Sequence, residues 1–271
     1  MFRSPIFGHL RPMLQFDIHR MATTSTTTNL NPAQRAAVEH LHGPLLVVAG
    51  AGTGKTRIIT ERILYLLTAI PELDGENILA ITFTNKAADE MKARICRLGD
   101  KRAERVGVFT FHAFCYDLLR RHHQALQILD KVDYWIFLRR RLDQLGLNLF
   151  KKLSEPGRFL NDFQDFFSRC QDELVSPEDY HRYAEALAAA LEREAPLLSE
   201  EERRSREEEL ARQQELARVY AAAENLLREA NRTTFGGSLF RAVELLRDNP
   251  PLRQHYQDRF RYILVDEFQD T

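Results

Sequence analysis

The stretch Leu45-Leu46-Val47-Val48-Ala49-Gly50-Ala51-Gly52-Thr53-Gly54-Lys55-Thr56 decides how this chain is read. An apolar run breaks into alternating glycines and closes on Gly-Lys-Thr, which predicts a buried strand, a phosphate-binding loop and a helix start. Backbone N–H groups can converge on a triphosphate only where no Cβ blocks the approach, so such a loop needs glycines. Gly50, Gly52 and Gly54 meet that need, the Lys55 ammonium has the reach for β- and γ-phosphates, and the Thr56 hydroxyl is a ligand for Mg²⁺. ATP with Mg²⁺ is therefore the expected ligand of residues 49–56. Ala49 stands where the pattern has its first glycine, a departure that a small side chain tolerates. Ile59, Ile63, Leu66, Leu67 and Ile70 recur at three- and four-residue steps and predict the helix that such a loop feeds. The alternative, a glycine-rich turn with a surface lysine, gives no reason for strand, loop and helix to arrive in this order.

Just upstream, Asn31 is suited to cap a helix with Pro32 in its first turn, running to about Leu41. Gln34 in that helix is either a surface residue or, because its amide both donates and accepts, a reader of an adenine edge. Downstream, Ile78 to Phe83 predicts a second buried strand, followed by a helix with Ala88, Met91, Ile95 and Leu98 on one face. Val106 to Thr110 predicts a third strand, leading into Phe111-His112 and a helix with Phe114, Leu118 and Leu119 inward. Strands alternating with helices imply an α/β fold with a mostly parallel sheet, whose ligand sites lie at the carboxyl ends of the strands.

From about Arg121 to Asp258 strand candidates vanish, charge rises and helical periodicity takes over, which predicts a helical unit. Ser199 and Glu202 have capping-box spacing and open a long helix with Leu216, Tyr220, Ala223 and Leu227 along one seam. The basic runs Arg120-Arg121-His122-His123 and Arg139-Arg140-Arg141 have the charge to touch phosphates but read first as solvated helix faces. Strand character returns at Tyr262 to Val265 and runs into Asp266-Glu267-Phe268-Gln269-Asp270-Thr271. An acidic pair at a buried strand end is the other half of an ATPase site, with Asp266 holding the Mg²⁺ shell and Glu267 orienting or deprotonating the attacking water.

Composition narrows the class further. The 271 residues are 44% hydrophobic, ample for a core. With 38 Lys and Arg against 39 Asp and Glu, net charge −1, any grip on a polyanion must be local. Cys96, Cys115 and Cys170 are widely spaced, which suggests neither a zinc site nor a disulfide framework and makes the reducing cytoplasm the default location. No apolar run approaches the roughly 18 residues of a membrane span. Residues 1–28, with scattered arginines and an almost pure Thr/Ser run at 23–28, predict a disordered extension. It reads as a targeting peptide or, more simply, as an over-extended start with translation beginning at Met21.

Leu30-Asn31-Pro32-Ala33-Gln34, the loop at 49–56, Thr82-Phe83-Thr84-Asn85-Lys86, Phe109-Thr110-Phe111-His112 and Tyr262 to Thr271, in that order, resemble the N-terminal part of superfamily 1 DNA helicases of the UvrD/Rep type. The resemblance implies a RecA-like nucleotide domain at 29–120, interrupted by a helical subdomain at 121–257 and resumed at 258–271. It implies that Gln34 contacts adenine, that Ala49, Gly50, Ala51, Gly52, Thr53, Gly54, Lys55 and Thr56 hold the triphosphate, and that Asp266 holds magnesium. Glu267 would be the catalytic base and Gln269 would face the γ-phosphate and a partner domain. Phe83, Thr84, Asn85, Lys86 and His112 match positions that touch single-stranded DNA, where an aromatic ring offers a sequence-blind stacking surface and polar groups track phosphates. The alternative for Phe83 is a core aromatic at a strand end. Thr233-Thr234-Phe235-Gly236-Gly237 stands where the family has an Asp-rich segment. The second RecA-like domain with its arginine fingers has no counterpart in these residues, as in a fragment or truncated product.

The expected activity is that of an ATP-dependent helicase motor moving 3′ to 5′ on single strands and acting at single-strand/duplex junctions in repair or replication, nearly inactive without the second domain. The rivals are a helicase–nuclease or other repair ATPase, and a binding module without turnover. A GTPase is disfavoured because Asn85-Lys86-Ala87-Ala88 lacks the Asp that reads guanine.

Overall fold

The computed structural model describes residues 30–50, 52–97, 100–122, 126–150 and 156–270. The expected extension at 1–28, Ala51, Leu98 and Thr271 lie outside them. Helix α1 (Pro32–Glu39) opens on a capping box in which the Asn31 side chain accepts from Gln34 N and the Gln34 side chain accepts from Asn31 N. Helix α2 (Lys55–Ala69) buries Ile63, Leu66 and Leu67, with Ile70 at its C-cap, in one core with β1 (Ile78–Thr82), all five residues of which are buried. Helix α3 (Asn85–Cys96) adds Met91 and Ile95 to the same core. The Arg62 guanidinium, buried in α2, donates to the Ala37 and Val38 carbonyls and ties the end of α1 to α2.

β1 lies between β2 (Gly107–Thr110) and β5 (Tyr262–Val265), both parallel to it. The register sets Ile81 beside both Phe109 and Val265, so the three strands end level along one edge. Leu45 to Val48, expected as a fourth, buried strand, form none, and Leu46 and Val48 are 75% and 89% exposed. Apolar side chains create the tendency, but a strand is held by a ladder of hydrogen bonds to a neighbour. No described strand pairs with this segment, and β5 itself leaves Ile263 61% exposed.

Helix α4 (Phe111–His122) leaves the sheet for the helical region. There β3 (Gln127–Leu129) and β4 (Arg232–Thr234) pair in parallel, inside the stretch expected to be free of strands. Three residues are too few to carry a period-two signal, and their partner lies about a hundred positions away in sequence. Around them pack α5 (Lys131–Arg139), α6 (Pro156–Asp172), α7 (Pro177–Glu194) and α8 (Glu200–Glu229). Their core holds Phe137, Phe163, Phe167, Tyr220, Ala223 and Leu227, with the Phe167 and Tyr220 rings stacked 5.0 Å apart. Burial pushes the Tyr220 phenol well up from its ordinary range, and its hydroxyl donates to the Val175 carbonyl. Glu215, fully buried in α8, accepts from the N–H groups of Asn148, Leu149 and Phe150. Helices α9 (Phe235–Asp248) and α10 (Pro250–Arg259) lead back to β5, and Ala242 joins Leu118 and Leu119 of α4 in a separate small core. The described chain is thus mostly helical, with a three-stranded parallel sheet, whose level edge carries the polar clusters, and a separate two-stranded parallel pair.

Candidate functional site

Two stretches 210 residues apart meet at that edge. Gly54 caps α2 in the left-handed region at φ 86°, and Gly52 has φ 75°, conformations that an L side chain strains. The Thr53 hydroxyl donates to the Gly50 carbonyl and folds the loop on itself. On the other side, the register of β5 against β1 delivers Asp266 beside the loop, and Asp266 N donates to the Ile81 carbonyl at 2.8 Å, one step beyond the ladder. Asp266 is 6% exposed, and its Oδ2 accepts from the Thr56 hydroxyl at 3.2 Å. Lys55 Nζ stands 3.5 Å from Glu267 Oε2.

Glu267 holds φ at 50°, a region non-glycine residues rarely adopt and one that clusters at functional sites. The Gln269 amide donates to its carboxylate, and this bond, with the Lys55 ammonium, holds the Glu267 carboxyl below the usual range. Gln34 also reaches the site, because its Nε2 donates to the Thr53 carbonyl at 3.0 Å while its Oε1 caps α1. Its amide is therefore shared between the cap and the glycine loop. The structure thus brings Gln34, Thr53, Lys55, Thr56, Asp266, Glu267 and Gln269 together, with Gly50, Gly52 and Gly54 in the loop; Ala49 precedes them in the unpaired segment.

The second group lies along the same edge, on the far side of β1. Phe83 is 59% exposed, against its alternative as a core aromatic, and Thr84, Asn85 and Lys86 follow it, all exposed. The Thr84 hydroxyl accepts from Ala87 N and caps α3, so its local role is already structural. Thr110 likewise accepts from Ala113 N at the start of α4, leaving His112 exposed. Thr234 accepts from Gly237 N to cap α9. Three strand ends thus turn into helices through a threonine cap with an aromatic residue beside it.

The third of these aromatics, Phe235, was missed by reasoning from sequence. It is 53% exposed, with its ring edge-on to His112 at 5.9 Å. The repeat of Thr followed by an aromatic ring at 110–111 and 234–235 is the sequence signal that could have marked it.

A glycine loop closing on Lys-Thr at a helix start, with an Asp-Glu pair delivered by a parallel strand, defines the class of α/β proteins with phosphate-loop geometry. Within that class the chain belongs to the UvrD/REP helicase family, whose N-terminal domain model matches residues 30–271. It is 38% identical over 248 residues to the ATP-dependent DNA helicase UvrD1 of Mycobacterium tuberculosis, covering 89% of this chain and 29% of that protein. It is 34% identical over 249 residues to the ATP-dependent DNA helicase PcrA of Staphylococcus epidermidis, covering 90% and 30%. The chain therefore spans less than a third of the length of these relatives. No helix among the described residues is long and apolar enough to cross a membrane.

Proposed function

We propose that residues 29–120 and 258–271 form the RecA-like ATP-binding unit of a DNA helicase motor, with 121–257 as a helical subdomain set into it. One observation carries the reading: the Thr56–Asp266 hydrogen bond closes the glycine loop onto the acidic strand end across 210 residues. A hydroxyl and a carboxylate side by side are hard oxygen donors of the kind Mg²⁺ takes when it keeps waters and phosphate oxygens as its other ligands. The residues present therefore fit the ion, and Thr56 and Asp266 would hold it. Bound magnesium would neutralise part of the phosphate charge.

The remaining roles fall to this chain's own groups. Backbone N–H groups of residues 49–56 hold the triphosphate, and Gln34 lies where an adenine edge would be read. Lys55 exchanges its open, solvent-screened pair with Glu267 for phosphate oxygens, at little cost because exposed ion pairs contribute little. Glu267, freed of that ammonium, loses one of the two influences that depress its carboxyl and becomes a better proton acceptor for the attacking water. Gln269 holds Glu267 oriented. Phe83, Asn85, Lys86 and His112, joined by Phe235, offer a platform for single-stranded DNA, and the helix cap leaves Thr84 the weakest of these contacts. Movement from 3′ to 5′, action at junctions, a role in repair or replication and a cytoplasmic setting rest on family resemblance.

In this family a second RecA-like domain brings the arginine finger, which contributes on the order of 10³–10⁵ in rate. These 271 residues alone should bind Mg-ATP and hydrolyse it very slowly, with or without DNA. Equilibrium binding and steady-state hydrolysis, beside Lys55→Ala and Glu267→Gln, test this. Lys55→Ala should abolish binding while leaving the melting temperature in place, and Glu267→Gln should keep it. Fast, DNA-stimulated turnover lost in Glu267→Gln would overturn the need for a second domain, and undiminished binding by Lys55→Ala would overturn the site.

A further inference from the structure

The turn that carries Phe235 is held from inside the helical region by a chain of polar groups. The Thr234 hydroxyl accepts from Gly237 N as the cap of α9 and donates to Gln171 Oε1, on α6, at 3.4 Å. Gln171 Nε2 donates in turn to Glu224 Oε1, on α8, at 2.8 Å, and Glu224 Oε2 accepts from the Arg241 guanidinium at 3.4 Å. Gln171 and Glu224 are both more than nine-tenths buried. Arg241 lies in α9 itself, about two turns beyond the Thr234 cap. The chain of contacts therefore leaves α9, crosses α6 and α8, and returns to α9.

Packing at this end of α9 leaves no room for side chains. A Cβ on Gly237 would stand 2.7 Å from Thr233 Oγ1 and 3.0 Å from Thr234 Oγ1, and one on Gly236 would stand 3.2 Å from Gln171 Oε1. Glycines in a first helical turn cost conformational entropy, and here they let that turn press against the Gln171 amide. A carboxylate must be paired wherever it is buried, so the bond from Arg241 to Glu224 has no bearing on the site by itself. Gln171 is the link that reaches the site. Its amide gives a proton to Glu224 and takes one from Thr234 at the same time. A carboxylate at 171 would repel Glu224, and a hydrocarbon would leave Glu224 and Thr234 each short of a partner. Held at its cap and again two turns along, α9 is restrained from turning about its axis. That turning is the motion that would swing the Phe235 ring away from its edge-on contact with His112 at 5.9 Å.

We infer that Gln171 is a positioning residue for single-strand binding: anchored by Glu224 and Arg241, it fixes the α9 cap so that the Phe235 ring stays beside His112 as a surface for a base. This role rests on the reading of the strand-end edge as a single-strand platform. It gives the helical region a part in aligning that platform, through side chains that lie too deep to touch the strand themselves.

The test is anisotropy binding of a labelled twelve-nucleotide oligothymidine by wild type, Gln171→Leu, Phe235→Ala and the double variant, well below the melting temperature of each. Phe235→Ala should weaken binding about tenfold, the size expected for a stacked base. Gln171→Leu should weaken it about fivefold on its own and no further in the Phe235→Ala background, because residues that act through one another are not additive. A purely structural loss would multiply with Phe235→Ala instead. Thr234→Val, which removes the donor to Gln171, should also weaken binding in a manner that vanishes with Phe235→Ala, while Thr234→Ser, which keeps the donor, should bind as wild type does. A folded Gln171→Leu that binds as tightly as wild type, or whose loss persists in full beside Phe235→Ala, overturns the role. Should Gln171→Leu fail to fold, the Thr234 variants decide, and equal binding by Thr234→Val and Thr234→Ser overturns it. If Phe83→Ala loses the strand while the Gln171 and Phe235 variants keep it, the positioning role fails and the DNA reading stands. Absence of any single-strand binding by wild type removes both.

Discussion

Leu45–Val48 and Ile78–Thr82 are both short apolar runs placed just ahead of a polar turn and a helix, yet their fates differ. Every residue of β1 is buried between two parallel neighbours, whereas Leu46 and Val48 stand exposed with no described strand beside them. The difference is not in the side chains. It lies in whether a partner strand offers N–H and C=O groups on the flank, because burial of a strand's faces follows from its place in a sheet.

The largest contrast should appear in amide exchange. Amides of Ile78–Thr82 should exchange only on global opening, and those of Leu45–Val48 faster by on the order of 10³ or more. Comparable protection in both stretches would break the comparison. Next, Ile78→Ala should cost about 2–5 kcal/mol in a urea melt, the range for truncating a fully buried side chain. Leu46→Ala should stay within about 0.5 kcal/mol, as an exposed position does. Equal losses would mean that the segment is buried in solution.

A smaller effect, away from both runs, sets the baseline in the helical region. Ser176 caps α7, and its hydroxyl bond to Asp179 is the main cause holding that carboxyl below its ordinary value. Ser176→Ala should cost about 1 kcal/mol at neutral pH. A folded pKa below the unfolded one stabilises above the unfolded value, near 4, and that contribution is lost as pH falls through the folded pKa. The gap between Ser176→Ala and wild type should therefore narrow below about pH 4, as read by thermal melts across pH. A gap that stays constant would show that the bond to Asp179 carries no linkage.

What was legible in the sequence follows the same division. Periodicity found α2, α3, α4 and the seam of α8, because each helix carries its own signal in residues three and four apart. Ser199-Glu202 and Asn31-Pro32 announced their caps because a cap is decided within four residues. Adjacency across the chain was not legible. Nothing in Leu45–Val48 says that no described strand pairs with it, and nothing in Gln127–Leu129 names Arg232–Thr234 as its partner. The same holds at the site. The residue types of Lys55, Thr56, Asp266 and Glu267 were readable, but the double use of Gln34, as cap and as tie to Thr53, needed the folded geometry.

Glu215 shows how far apart the halves of a single anchor can lie. Its carboxylate is buried, and the three amides it receives lie 65 to 67 positions away on a turn whose residues are exposed or half-buried. The three bonds join parts of the chain far apart in sequence, and closing so long a loop loses chain entropy before any bond forms to offset it. In the order of folding, then, the turn at 148–150 cannot settle early. It waits for α8 to form and dock, and the helix seam that sequence reads so easily becomes the template on which the least legible turn of the molecule is cast.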